Sequence, residues 1–365
     1  MPNAPIRILF NTWANRENTN SQSLTAREIA SRLSPERFRS SLFLGWGQEP
    51  DPKVGGREEI RLLRVPPRLG SLFIARELLW GSHDIVFYPA LNPRASRLFR
   101  TGRRLGRKRL VVDGVETSLD QIAACGKEIQ QRIFASLRQA DLRTAITPAI
   151  SRDLAQQHQL ESEVVPLGVD LSLFQWVDRS HHEPPWKVVY VASIQQRKQT
   201  HIMLDLAQRL RSQDVEFHCI GPCLGDPAYC EALFARKARE RLDKVTFHGE
   251  LSQPEIYRHL RQADLYVLPS RLEGFGKTTL EAAASGLPAI VFSDYETTAV
   301  VDGETGFQVA TEEEMLAAVE ELLADPELRH EMGWAASAHA QTFSWDPIAR
   351  RWETLFSRLA QGEAA

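Results

Sequence analysis

Residues 269–291, PSRLEGFGKTTLEAAASGLPAIV, decide how the rest of the chain is interpreted. The apolar run at 264–269, DLYVLP, is typical of a buried strand, so residues 271–276 form the loop at the carboxyl end of that strand. From Lys277 onward the alanines and other small residues are typical of a helix that packs tightly on a sheet. A strand, a short loop and a helix in this order predict the α/β fold class.

The loop and the start of this helix carry groups that suit an anionic ligand rich in hydroxyls. The two glycines of EGFG let the backbone approach a ligand closely, and free N–H groups at a helix start favour an anion such as a diphosphate. Lys277 and Thr278 add side-chain donors, whereas Glu273 and Glu281 can accept hydrogen bonds from hydroxyls, Glu281 from a vicinal diol such as a ribose. A sugar joined through a diphosphate to a nucleoside would meet all of these groups in order.

Short apolar runs alternate with helical patterns along the whole chain, which predicts parallel strands joined by helices. The alternation pauses near Pro184–Pro185 and then restarts. We therefore predict two doubly wound, Rossmann-like domains, one over 1–175 and one over 187–343, with a linker at 176–186. Doubly wound sheets bind ligands beyond the carboxyl ends of their strands, so we expect the two domains to face each other across a cleft.

The composition is that of a globular protein with room for two domains: 365 residues, 43% hydrophobic and 25% charged. No run approaches the roughly 20 apolar residues of a membrane span, and the first residues resemble a buried strand more than a signal peptide. We therefore expect a cytoplasmic protein. The four cysteines have no paired zinc spacing, which favours reduced structural thiols.

The formal charge of −3 conceals an excess of Lys and Arg in the first half of the chain. The densest basic run is RLFRTGRRLGRKR at 97–109. It is either a solvated helix face or a patch for anionic lipid headgroups or a phosphorylated acceptor, which would give peripheral contact with the inner face of a membrane. Nucleic acid is the weaker interpretation, because the whole chain is mildly acidic and no motif that alternates basic with aromatic residues accompanies the run.

The 269–291 stretch closely resembles the E-x7-E signature of retaining glycosyltransferases of family 4, which have the GT-B fold. Glu273 and Glu281 are the two glutamates of that spacing. Further segments resemble the family: VVPLGVDLSLF (164–174), VTFHGELSQPEIYRHLRQADLYVLPS (245–270), VDGETGFQV (301–309) and FSWDPIARRWETLF (343–356). The last of these resembles the terminal helix, here 344–360, that returns to the first domain in this fold.

The resemblance implies transfer of a sugar from a UDP- or GDP-sugar, held in the second domain, to a glycan, lipid-linked or small-molecule acceptor held in the first. It implies retention of the anomeric configuration and neither a metal nor a cofactor. The catalytic residues implied are Glu273, Asp113 and Lys198. The donor-binding residues implied are Arg197, Lys198, Gly221, His248, Glu273, Gly274, Phe275, Gly276, Lys277, Thr278 and Glu281. The acceptor-binding residues implied are Asn18, Asn20, Gln22 and Glu116.

The chain departs from the family pattern at several points. Ser193 stands where the family usually has an arginine, so one phosphate contact is either missing or supplied by Arg197. Tyr295–Glu296 stand where the family commonly has a glycine pair, which leaves the identity of the sugar open. Asp113 occupies the position of a common histidine, where it either assists the acceptor or belongs to an Asp–Gly turn. The loop at 11–23 lacks the usual glycines and either contacts acceptor hydroxyls or forms a plain turn with a helix cap.

Two alternatives to transfer stay open. One is a nucleotide-sugar epimerase or hydrolase of the same fold, which breaks the same bond without a sugar acceptor. The other, suggested by these departures, is a protein that binds a nucleotide sugar without catalysis. A nicotinamide-dependent dehydrogenase is excluded, because no G-x-G-x-x-G loop follows the first strand of either domain.

Overall fold

The computed structural model describes residues 4–16, 21–88, 101, 109–115, 122–123 and 125–362, with the backbone alone for 109–115. The chain forms two units: unit 1 comprises Met1–Gly168 and Trp345–Ala365, and unit 2 comprises Val169–Ser344. Most of the basic run at 97–109 lies outside the described residues. None of the helices described combines the length and the apolar character that crossing a membrane requires.

Unit 1 is built on a parallel sheet. Its described strands are β1 (Ile6–Trp13), β2 (Phe38–Gly45), β3 (Ile60–Val65), β4 (Ile85–Tyr88), β5 (Arg109–Val115), β6 (Leu142–Ala145) and β7 (Glu163–Val164). Their spatial order is β3-β2-β1-β4-β5-β6-β7, and every ladder is parallel. The helices described before residue 168 are α1 (Ser21–Ala30), α2 (Gly70–Trp80), α3 (Lys127–Leu137) and α4 (Pro148–His158).

Unit 2 repeats this architecture. Its strands are β8 (Trp186–Val191), β9 (Val215–Ile220), β10 (Val245–Gly249), β11 (Leu265–Leu268), β12 (Ala289–Phe292) and β13 (Gly306–Val309). They form a parallel sheet in the order β10-β9-β8-β11-β12-β13. The helices are α5 (His201–Arg209), α6 (Pro227–Glu240), α7 (Gln253–Gln262), α8 (Lys277–Ala284), α9 (Glu312–Ala324) and α10 (Pro326–Gln341). The predicted α/β class with two doubly wound sheets is confirmed.

The last helix, α11 (Trp345–Gln361), belongs to unit 1 although it follows unit 2 in the chain. Its apolar residues recur at helical spacing and form one buried stripe. Trp352 packs edge-on against Phe87 with ring centroids 5.1 Å apart, and Phe356 contacts Phe10, Phe38 and Phe87. The core of unit 1 is therefore completed by residues from the far end of the chain.

Residues 176–186, predicted as a linker, are packed structure of unit 2, because the division falls between Gly168 and Val169. Arg179 holds this segment against the rest of unit 2. Its buried guanidinium donates hydrogen bonds to the carbonyl oxygens of Leu260 (2.8 Å) and Ala263 (2.6 Å) at the end of α7, and of Ser285 (2.8 Å) at the end of α8. Carbonyls in the last turn of a helix lack the regular helical partner, and of these three only Leu260 O also accepts a backbone N–H, that of Ala263 at 3.3 Å. Burial lowers the pKa of Arg179 to about 10, so the side chain stays charged at neutral pH.

We expect Arg179→Met to lower the free energy of unfolding of unit 2 by about 3 kcal/mol or more. The carbonyls of Ala263 and Ser285 lose their donor, which costs about 1–3 kcal/mol each, and Leu260 O keeps only the weak bond from Ala263 N–H. Urea unfolding of the purified chain measures the change. Arg211→Met is the matched control, because Arg211 is exposed. A loss no greater than that of the control would show that the carbonyls find other donors.

Candidate functional site

The candidate site lies where the strand order of unit 2 reverses. β8 and β11 are neighbours in the sheet, and their ladder pairs Leu265 with Val188. The chain leaves β8 toward β9 on one side, whereas β11 leads to β12 on the other. The loops after β8 (192–200) and after β11 (269–276) therefore diverge and leave a crevice at the carboxyl edge, which is where doubly wound sheets bind ligands.

A buried ion pair joins these two loops. Lys198 ends a short 3-10 helix, Gln196–Lys198, and its Nζ donates a hydrogen bond to Oε1 of Glu273. Lys198 is only 9% exposed, as is the side chain of Glu273. Burial lowers the pKa of Lys198, and the Glu273 carboxylate raises it partly back. Glu273 is the one carboxylate paired with Lys198 among the residues that the structure describes, and a cation so placed can also bind an anionic ligand.

Helix α8 begins directly beside this pair. Gly276 precedes its first residue with φ +77°, in the left-handed region that glycine adopts without strain. No side-chain cap covers the first N–H groups of α8 in the part of the chain that the structure describes. These N–H groups and the positive end of the helix dipole remain available to an anion. The Thr278 hydroxyl is 2.8 Å from Oη of the buried Tyr266, so that predicted donor already has a protein partner.

Glu281 lies one turn into α8 and is buried. Gln253, at the start of α7, donates from Nε2 to Glu281 Oε1 at 3.4 Å, and Lys277 Nζ lies 4.0 Å from the same oxygen. Burial raises the pKa of Glu281, Lys277 and Gln253 lower it, and Asp170 raises it further. The carboxylate can accept hydrogen bonds from a diol that reaches it, because its present bonds are few and long.

The other residues predicted near this site have different surroundings. Arg197 is exposed next to Lys198. Phe275 is buried and packs against Phe343, 5.9 Å between ring centroids, so it anchors the loop that contains Gly274. A Cβ on Gly221 would lie 2.1 Å from the carbonyl oxygen of Ala192, so this glycine lets β9 end close against the loop after β8.

The predicted donor-binding residue His248 lies in a different environment. Its imidazole lies against those of His218 and His259, with ring centroids 5.2 and 4.3 Å away. His218 is in β9 and His259 is in the last turn of α7. The structure therefore brings Lys198, Glu273, Lys277 and Glu281 into one region but gives the His248 side chain other partners.

Three residues of the site were not predicted from the sequence. They are Gln253, Asp170 and Tyr295. Gln253 and Asp170 interact with Glu281. The pKa of Tyr295 is raised first by burial and then by the charge of Glu273. Gln253 and Asp170 lie inside segments quoted for the family resemblance, which was the available signal. Tyr295 was noted only as a departure from the family pattern.

The residues predicted in the first domain are mostly not described. Asn18, Asn20 and Glu116 lie outside the described residues, and Asp113 is described only as backbone of β5. Gln22 is in the first turn of α1 and is half-buried. The acceptor-binding assignments therefore stay predictions.

Unit 1 contains a cavity of about 700 Å³ that the sequence did not predict. It lies at the carboxyl ends of three adjacent strands, since its lining includes Trp13, Gly45 and Val65, the last residues of β1, β2 and β3. Trp46, which is 64% exposed, also lines it. Further lining residues, apolar and polar, include Leu69, Leu72, Arg68 and Ser71. The lining is thus mixed, and a cavity at this edge of a doubly wound sheet is a typical place for a ligand.

Residues 175–339 match the family described as Glycosyl transferases group 1. A D-inositol 3-phosphate glycosyltransferase of Arthrobacter sp. (strain FB24) is 30% identical over 243 residues, 61% of this chain and 57% of the relative. The enzyme of that name from Streptomyces griseus subsp. griseus is 38% identical over 152 residues, 40% of this chain and 32% of the relative. The chain spans about half the length, or less, of these curated relatives. The matched segment contains the 269–291 motif, so the family resemblance drawn from it is confirmed.

Two solved structures share the fold over almost the whole chain. Sucrose-phosphate synthase from Thermosynechococcus elongatus superposes with a TM-score of 0.77 at 18% identity and covers 98% of this chain and 100% of its own. Anabaena Alr3699/HepE, in complex with UDP and glucose, also has a TM-score of 0.77 at 18% identity. That alignment covers 96% of this chain and 99% of the Anabaena chain. The predicted GT-B fold is confirmed.

We expect Glu281→Gln to leave the ligand-free protein at least as stable as the wild type at pH 7. The pKa of Glu281 is higher in the folded chain than its value of 4.5 in the unfolded chain, so this residue makes the folded state less stable as the pH rises above 4.5. A glutamine at this position does not titrate and removes this loss of stability. The advantage of the variant should therefore shrink as the pH falls toward 4.5. Urea unfolding at several pH values measures it, with Glu320→Gln as the exposed control. A variant clearly less stable at pH 7 would show that the pair with Lys277 outweighs the cost of burial.

Proposed function

We propose that this chain, whose residues 175–339 belong to the glycosyl transferases of group 1, moves a sugar from a nucleotide diphosphate sugar to an acceptor with retention of configuration and without a metal. The observation that carries the proposal is the Lys198–Glu273 pair beside the open start of α8. A cation, free N–H groups and two carboxylates within one crevice match the diphosphate and the hydroxyls of such a donor.

The diphosphate is the group that leaves, so the site must stabilise negative charge as it develops. In the proposed complex Lys198 turns from Glu273 to a phosphate oxygen, and the N–H groups at the start of α8 bind a second oxygen. Arg197, exposed next to Lys198, adds a further positive charge. Fixed positive groups of this kind supply the stabilisation that a divalent cation supplies in other transferases, which supports a metal-independent reaction.

The two glutamates then have separate tasks. Glu273, released from Lys198, accepts hydrogen bonds from hydroxyls of the sugar that is transferred. Glu281, one turn into α8 beside Gln253, accepts bonds from the ribose diol. We favour UDP as the nucleotide because the fold neighbour from Anabaena was solved with UDP and glucose, and GDP is the second choice.

Retention in a single displacement requires the acceptor to attack on the face from which the diphosphate leaves, and this is the course that we propose. A phosphate oxygen of the departing group can then take the acceptor proton, with the charge held by Lys198 and the helix start. Asp113, in β5, is proposed to orient the acceptor or assist its deprotonation.

The acceptor is proposed to bind in the cavity at the ends of β1, β2 and β3. Trp46 and Trp13 give it flat apolar surfaces, which suit a sugar or cyclitol ring, and Arg68 and Ser71 add polar groups. We therefore favour a ring-bearing acceptor, either a small molecule or the terminal sugar of a glycan or of a lipid-linked glycan.

We expect one nucleotide, UDP before GDP or ADP, to raise the melting temperature of the wild type, because a ligand present at 100 times its Kd adds about 2.7 kcal/mol of stability. Lys198→Met should weaken this effect and lower kcat/KM for transfer by about 100- to 1000-fold, the cost of removing one preorganised group that stabilises the developing charge. Lys244→Met is the control. Lys244 is partly exposed and directly precedes β10, so it lies where this strand begins, whereas the candidate site lies where the strands end.

The outcomes separate the alternatives. Loss of the donor at the same rate with and without acceptor would identify a hydrolase or epimerase, and binding without turnover would identify a binding protein. Proton NMR of the product reports the anomeric configuration, and an inverted product would contradict retention. Full activity after treatment with a chelator is expected.

We expect Trp46→Ala to raise the KM for the acceptor about 10-fold or more and to leave nucleotide binding unchanged, because stacking on a tryptophan contributes about 1–3 kcal/mol. Steady-state assays with UDP-glucose and a panel of monosaccharides, inositol phosphates and lipid-linked sugars measure it. Trp80→Ala is the matched control, because Trp80 is similarly exposed at the end of α2 but does not line the cavity. Equal effects of both variants would place the acceptor elsewhere.

A further inference from the structure

Three histidines of unit 2 converge on one point away from the Lys198–Glu273 pair. His218 Nδ1 lies 3.0 Å from His248 Nε2, and one ring nitrogen from each of His218, His248 and His259 lies within 4.8 Å of the other two. All three side chains are half-buried, so an ion can reach them from solvent. The sequence separates them widely, and only the packing of α7 on the sheet brings them together.

The backbone of β10 is shaped to present His248 at this point. The β9–β10 ladder pairs Phe247 with Cys219 and then shifts, so that the next pair is Gly249 with Ile220. His248 is the extra residue of a β-bulge. Bulges redirect a side chain, and they are found preferentially beside functional sites.

Histidine binds metals through the nitrogen lone pair of its neutral form. Each of the three imidazoles has one ring nitrogen close to a ring nitrogen of the other two, which is the arrangement that a shared cation requires.

A carboxylate lies behind the first of these ligands. Glu216 Oε2 is 3.5 Å from His218 Nε2, the ring nitrogen that faces away from His248. The 3.5 Å approach is an ion-pair contact and not a hydrogen bond, and the negative charge favours the proton on this outer nitrogen, which leaves the inner nitrogen to bind an ion. Metal-binding histidines generally have such a partner.

We propose that His218, His248 and His259 bind one Zn²⁺ ion. Nitrogens bound tetrahedrally to zinc at about 2.0–2.1 Å lie about 3.4 Å from one another. The His218–His248 separation is close to this value, and the third nitrogen has to approach by no more than about 1.4 Å, which side-chain rotation can provide. Three imidazoles suit zinc, and water would take the fourth position.

The ion would fasten α7 to the edge of the sheet and take no part in sugar transfer. His259 lies six residues beyond Gln253 on α7, which is about 9 Å along the helix axis at 1.5 Å per residue. Zinc is therefore expected to stabilise unit 2 and to hold the helix whose first residue contacts Glu281.

The test uses the untagged full-length chain, freed of metal with a chelator and then titrated with ZnCl₂ by calorimetry. We expect one Zn²⁺ per chain and a higher melting temperature with zinc. His248→Asn and His259→Asn should each weaken zinc binding by at least about 100-fold, and Glu216→Gln by about 10-fold. His330→Asn, at a partly exposed histidine of the same unit, should bind zinc as the wild type does.

A second measurement uses the wild type alone and does not depend on the folding of any variant. Zinc should protect His218, His248 and His259 from diethyl pyrocarbonate, as mapped by peptide mass spectrometry, and leave His330 reactive. Absence of stoichiometric binding, equal affinity in the histidine variants, or protection at other histidines would each overturn the proposal.

Discussion

The packing of unit 2 depends on one buried guanidinium at the ends of two helices. Arg179 binds the last carbonyls of α7 and α8 with one buried guanidinium, and both helices run from that point toward the carboxyl edge of the sheet. Their first residues, Gln253 and Lys277, both lie close to Glu281, at 3.4 and 4.0 Å from its Oε1. The same two helices therefore meet Arg179 at their last turns and Glu281 at their first.

Much of this site could be predicted from the sequence because its chemistry is local. A strand, a loop with two glycines and a helix start follow one another within 269–291, and each part has its own signal. The contact between Lys198 and Glu273 joins loops 75 residues apart, so the family resemblance implied both residues but no spacing could pair them. The burial of Arg179 was likewise invisible, since its partners lie more than 80 residues further along the chain.

Features that the sequence did not indicate depend on packing between distant segments. The family resemblance implied His248 as a donor-binding residue, and a bulge and the last turn of α7 give its side chain histidine neighbours that no sequence pattern indicated. The cavity of unit 1 is lined from the ends of three separate strands, and only the parallel register of β1, β2 and β3 brings these ends together. No pattern within any single segment marks such a surface.

The position of α11 has a consequence for biosynthesis. Unit 2 is complete once residue 344 has left the ribosome, whereas the sheet of unit 1, translated earlier, still lacks Trp352 and Phe356. Until the last helix emerges, Phe10, Phe38 and Phe87 have no cover from it, and a nascent chain with exposed aromatic residues is prone to aggregate or to recruit chaperones. The part of the chain made first is therefore the part that matures last, and premature termination before Trp345 would release an unfinished amino-terminal unit attached to a finished insert.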